Sequence, residues 1–123
     1  MTTYFISGHL DLTMDEFREH YVPRLAAAIA EDAAFVVGDA RGCDLMTQIY
    51  LRDARVVRVQ VFHMFESPRN NVGGFSTMGG FPTDSARDTA MTDASGADIA
   101  WVRPGRTSSG TAANLARRYF KKE

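Results

Sequence analysis

A short run without a polar side chain, Ala34 to Gly38 (AFVVG), lies between two stretches whose apolar residues recur every three or four positions. A strand that is apolar throughout has both faces covered, the condition of a parallel sheet packed between helices. The stretch before it carries Met14, Phe17, Tyr21, Leu25 and Ile29, and the stretch after it Leu45, Met46, Ile49 and Tyr50, both at helical spacing. The same alternation runs along the rest of the chain. Thr3 to Ser7 (TYFIS), closed by Gly8, predicts a first strand; Val56 to Phe62 (VVRVQVF) alternates with period two and predicts a third; Asp98 to Val102 (DIAWV) predicts a fourth. Helices are expected from Thr83 or Asp84 to about Ala94 and from Gly110 to Lys121. Thr13 and Glu16 have capping-box spacing, and Pro23 predicts a kink or two abutting helices near Tyr21 to Pro23. Strands alternating with helices imply right-handed βαβ units, hence an α/β, Rossmann-like three-layer sandwich with a parallel sheet, expected in the order 3-2-1-4.

At 123 residues, with 45% apolar and 24% charged residues, the chain suits one domain over residues 1–123 with a core that needs no disulfide. A formal net charge of -1 provides no global field for a polyanion, which argues against nucleic acid as a partner and makes any anion site local. The single cysteine, Cys43, and an N-terminus without a basic and apolar leader pattern point to the cytoplasm. Apolar runs such as Ala26 to Ala30 and Ala33 to Val37 are too short for a membrane span. His9, His20 and His63 lack metal-ligand spacing, so no metal or cofactor is expected. The glycine-rich Val72 to Phe81 (VGGFSTMGGF) reads as a mobile loop, whose Phe75, Met78 and Phe81 would stack on a base or form a dimer contact.

In sheets of this kind, ligands sit beyond the carboxyl ends of the strands where the strand order reverses, here between the first and fourth strands. The loops containing Ser7, Gly8 and His9 and containing Gly105 should meet there. The segment Gly105-Arg106-Thr107-Ser108-Ser109-Gly110-Thr111 joins a strand to a helix, so its glycines, hydroxyls and free helix amides suit an anion, although the same residues also serve as ordinary caps. Arg69, in the loop after the third strand, could clamp a phosphate from there or face solvent. Arg41 and Arg87 are expected to line or support the crevice. Asp39 and Glu66 are weak candidates for a catalytic carboxyl group, as is Asp44, since glycosidic chemistry commonly uses paired acids. Cys43, near a helix start, is either a thiol of lowered pKa or a small buried side chain.

The second strand ends in Val37-Gly38-Asp39-Ala40-Arg41-Gly42-Cys43-Asp44. This resembles the SLOG superfamily, named for its DprA and LOG members, and in particular its small branch with a glycine-alanine-arginine-glycine-alanine-aspartate signature. Gly38, Ala40, Arg41, Gly42 and Asp44 match; Asp39 and Cys43 depart. A second block is similar too: Arg87-Asp88-Thr89-Ala90-Met91, the strand from Ala97, then Pro104, Gly105, Gly110 and Thr111. The resemblance implies a Rossmann-like domain, homodimers or higher homo-oligomers, and binding or sensing of a nucleotide or nucleotide-derived phosphorylated small molecule. Together with the strand-end reading above, this makes the candidate ligand residues Ser7, Gly8, His9, Gly38, Asp39, Arg41, Gly42, Arg69, Arg87, Gly105, Arg106, Ser109, Gly110 and Thr111. LOG-type members cleave a nucleotide N-glycosidic bond with a glutamate three residues after the glycine-threonine pair. Asn114 holds that place here, and the preceding turn is two residues longer. An amide cannot act as a carboxylate base, so N-glycosidase activity is the alternative to binding, and an interaction-only subunit the third reading.

Overall fold

The structure, a computed structural model, describes residues 1–121. Its elements are β1 (Thr3–Ser7), α1 (Met14–His20), α2 (Val22–Ala30), β2 (Ala34–Gly38), α3 (Cys43–Asp53), β3 (Val59–Met64), β4 (Ser76–Phe81), α4 (Asp84–Asp93), β5 (Ala97–Ala100) and α5 (Gly110–Lys121). All strand pairs are parallel, in the order β4-β3-β2-β1-β5. This is a Rossmann-like three-layer sandwich. One apolar cluster, with Ile6, Val37, Leu25 and Leu51, fills the space between the sheet and α1 to α3. A smaller one, with Phe5, Val36, Phe62 and Met91, lies under α4. Neighbouring residues Phe5 and Ile6 therefore point to opposite faces, as strand alternation requires.

Local signals explain most boundaries. Thr13 and Glu16 form the expected capping box, and the chain divides at Tyr21 into α1 and α2 with Pro23 in the first turn of α2, where a proline needs no amide partner. Thr83 caps α4 through the Ala86 amide. Residues 56–58 fall outside β3, which begins at Val59 and runs two residues beyond the expected Phe62.

The expected order 3-2-1-4 is corrected by one strand. Its four members are β3, β2, β1 and β5; outside β3 the chain adds β4, in the glycine-rich segment expected to be a mobile loop. Residues 65–75 span the parallel return without a helix, close to the shortest crossover such a pairing allows. Asn71 holds both the amide and the carbonyl of Phe75, and Gln48 binds the carbonyl of Asn70 and the amide of Val72. Gly79 lies so close to His63 that a Cβ there would collide with the imidazole ring, which accounts for a glycine within the strand. Phe81 stacks on Phe62 at 5.9 Å and Phe75 packs against the larger core, so neither serves as a lid.

The basic end of the chain is part of the packing. Arg118 is buried, donating to the carbonyls of Thr92 and Ser95 and pairing with Asp98, so it locks α5 to α4 and β5. Lys121 pairs with Asp93, and Lys122 lies outside the described residues. No helix among the described residues is long and apolar enough to cross a membrane.

Candidate functional site

After β1 the chain turns to α1 on one face of the sheet; after β5 it turns to α5 on the other. The divergence opens a cavity of ≈ 490 Å³ at the carboxyl ends of β1 and β2. Ser7, Gly8 and His9 enter it from β1, Arg41 from the loop after β2, and Arg106, Ser109, Gly110 and Thr111 from the start of α5. Arg69 and Arg87 reach it from the β3 loop and α4. The expected loops therefore meet, apart from Gly105, which is exposed and outside the cavity.

Several expected residues support the walls instead of lining them. Gly42 adopts φ +72° beneath the loop after β1, where a side chain would run into the carbonyls of His9 and Leu10. Gly8, in the wall itself, is packed on Cys43 and the Tyr21 hydroxyl, each 2.5 Å from where a Cβ would be. Gly38 lies under Asp44 and Arg87. Tyr21 donates to the Ser7 carbonyl at 2.7 Å and accepts from the Trp101 amide at 3.0 Å, tying β1 to the segment after β5 just behind the cavity. Cys43 is a buried packing residue: burial, and then the Asp44 charge, push its thiol up, the reverse of activation.

Of the three acids considered for catalysis, Asp44 lines the cavity and the other two are elsewhere. Asp39 is 1% exposed and does not line the cavity. Its Oδ1 accepts from Arg69 at 2.8 Å and Arg87 at 2.9 Å, and its Oδ2 from the Arg69 amide at 2.8 Å. Burial pushes this carboxyl up, but hydrogen bonds from Arg69 and the charges of Arg69 and Arg87 outweigh it and hold it below the ordinary aspartate value. Glu66 is exposed on the loop after β3, outside the cavity. The residue at the LOG-type glutamate position, Asn114, does face the cavity; it is buried and accepts from Arg117 at 2.7 Å.

Most of the cavity's cations are already paired. Arg87 lies against Asp39, Asp84 and Asp88; Arg69 against Asp39 and Asp84; Arg106 against Asp11. Arg41 is exposed and has no acidic partner among the described residues. His9 is buried, and its Nε2 accepts from the Arg103 amide at 2.8 Å, so its proton resides on Nδ1. Burial first, and then the charges of Arg103 and Arg106, lower its pKa and keep the ring neutral.

No family model, curated protein or solved structure matches the chain. Ser7 is 5% exposed, and its Oγ has no hydrogen-bond partner among the described residues. Alternation along β1 puts its side chain on the Phe5 face, where both residues line the cavity. At the start of α5, Ser109 accepts from the Ala112 amide at 3.1 Å, while the Gly110 and Thr111 amides have no protein acceptor among the described residues. Sequence alone missed Asp11, Asp84 and Asp88; the signal for Asp11 and Asp84 is their position next to a strand-end or helix-start turn, and Asp88 lies one turn further along the same helix as Asp84. No group of His, Cys, Asp and Glu among the described residues is arranged to hold a metal ion.

Proposed function

We propose that the crevice binds a nucleotide or a nucleotide-derived phosphorylated small molecule, the ligand class that the resemblance to the SLOG superfamily implies. The observation that carries the reading is the buried, unpartnered Ser7 hydroxyl in the cavity wall. A buried polar group without a partner costs about 1–3 kcal/mol, a cost that a bound acceptor removes. The free amides of Gly110 and Thr111 add donors at the positive end of α5, and Arg41 is a cation not yet committed to a carboxylate. Leu10 supplies exposed apolar surface, and the cavity has the volume of a small-molecule site. An interaction-only subunit needs no such cavity. Cleavage of the N-glycosidic bond is less well supported: Asp39 is held by arginines, Glu66 is outside the cavity, Asn114 cannot exchange a proton usefully, and Asp44 is a single unpaired acid where glycosidic chemistry commonly uses two.

Calorimetric titration with adenosine 5'-monophosphate tests the reading. Ser7→Ala should weaken binding about tenfold while leaving the free protein as stable as wild type or slightly more so, since the substitution removes an unsatisfied polar group. Arg41→Ala should cost roughly 1.5–3 kcal/mol of binding energy. Unchanged affinity in both folded variants would remove the phosphate from this end of the crevice. Incubation of the wild-type protein with nucleoside monophosphates should release no free base over multiple turnovers, as read by chromatography; turnover lost in Asp44→Asn would promote the glycosidase instead.

A further inference from the structure

Asp44 is the cavity-lining carboxyl group that has no cation within ion-pair distance among the described residues. It stands in the first turn of α3 and is 8% exposed. Its Oδ2 accepts from the Ala40 amide at 3.1 Å, while its Oδ1 has no protein donor among the described residues. Charged and titratable groups surround it from every side: Cys43 beside it on α3, Arg41 before it, Asp39 at the end of β2 and Arg69 beyond β3. Asp84, Arg87 and Asp88 face it from α4, and His9 and Asp11 from the loop after β1. Arg69 and Arg87 are already set against Asp39, Asp84 and Asp88. An ionised Asp44 would therefore add surplus negative charge to a poorly hydrated wall, beside a crevice whose free donors suit an anion.

A protonated carboxyl escapes that conflict, because it is neutral and its O–H donates. We infer that Asp44 is a further ligand-binding residue of the crevice and that it binds in its protonated form, donating from Oδ1 to an oxygen of the anionic ligand. This rests on the nucleotide-binding reading above. Burial is the largest influence on the group and pushes it up; the Arg87 charge and the Ala40 amide pull it down, Asp88 and Asp39 add to the rise, and the balance lies at about 7. Ligand and proton then favour one another, so above neutrality binding takes up a proton and affinity falls as the pH rises.

The test is calorimetry with adenosine 5'-monophosphate between about pH 7 and pH 8.5, where its phosphate is largely the dianion, in buffers of different ionisation enthalpy. Wild type should lose up to about tenfold in affinity per pH unit at the upper end and take up close to one proton per ligand. Asp44→Asn, whose amide donates at every pH, should bind with an affinity that no longer depends on pH. Wild-type binding that is independent of pH, or a variant that keeps the wild-type dependence, would overturn the role of Asp44 and leave the nucleotide reading standing. Absence of binding at every pH would overturn both. Should the variant fail to fold, carbon-13 NMR of the Asp44 carboxyl in wild type decides: its titration midpoint must rise when the nucleotide is added, and an unmoved midpoint refutes the proposal.

Discussion

Two aspartates five positions apart in the chain have opposite chemistry, and the difference lies in what stands opposite them. Asp39 has its oxygens occupied by Arg69 and Arg87; Asp44, also buried, has one backbone amide among the described residues. Asp39→Ala leaves the buried Arg87 without its most enclosed partner, and urea denaturation should show a loss of about 3 kcal/mol. The pH dependence of the two has opposite sign. The lowered pKa of Asp39 contributes stability that is present above the unfolded value, near pH 4, and lost as the pH falls through the folded one. The raised pKa of Asp44 means that the folded chain holds a proton which the unfolded chain releases, so its contribution is full below about pH 4 and lost as the pH rises through about 7. Asp44→Asn should abolish this second loss, so that urea midpoints near pH 5 and pH 8 differ less than in wild type. At this scale residue types were legible but partners were not: nothing local links Asp39 to Arg87, 48 positions away.

Among the elements, those with their own signals matched expectation. Thr13 and Glu16 define the start of α1 without help from the rest of the fold, and Thr13→Ala should lower stability by about 1 kcal/mol in thermal or urea unfolding. β4 is the contrary case. Its sequence, STMGGF, has neither a periodic apolar pattern nor much β-branching, so its local preference reads as loop. It is a strand because β3 offers an edge and because Asn71, Gln48 and His63 hold the returning chain in place. Gly79→Val should drive β4 away from His63. Hydrogen exchange should then accelerate in the β4 amides while those of β1 and β2 keep their protection, and unchanged β4 protection would show that the glycine is not required for docking.

For the molecule as a whole, the site is a consequence of topology: β1 and β5 send their following helices to opposite faces, and the strand-end loops gathered at that divergence line the cavity. A ligand held there touches the β1 loop, α3, α4 and α5 together, so it should stabilise the whole fold. At one hundred times its Kd the gain is about 2.7 kcal/mol, readable as a concentration-dependent rise in Tm, and a flat Tm in the presence of measurable binding would place the ligand elsewhere. Alternation of apolar runs with helical spacing was enough to determine the α/β class, the parallel core and the strand ends at which the loops meet, because side-chain periodicity is a local property of each element. The edge strand β4, the pairing that occupies Asp39, Arg69 and Arg87, the unpartnered Ser7 hydroxyl and the isolation of Asp44 were decided only by tertiary structure. Each depends on which groups from distant parts of the chain share a space with little water, and there a residue's neighbours, more than its type, set its charge and its hydrogen bonds.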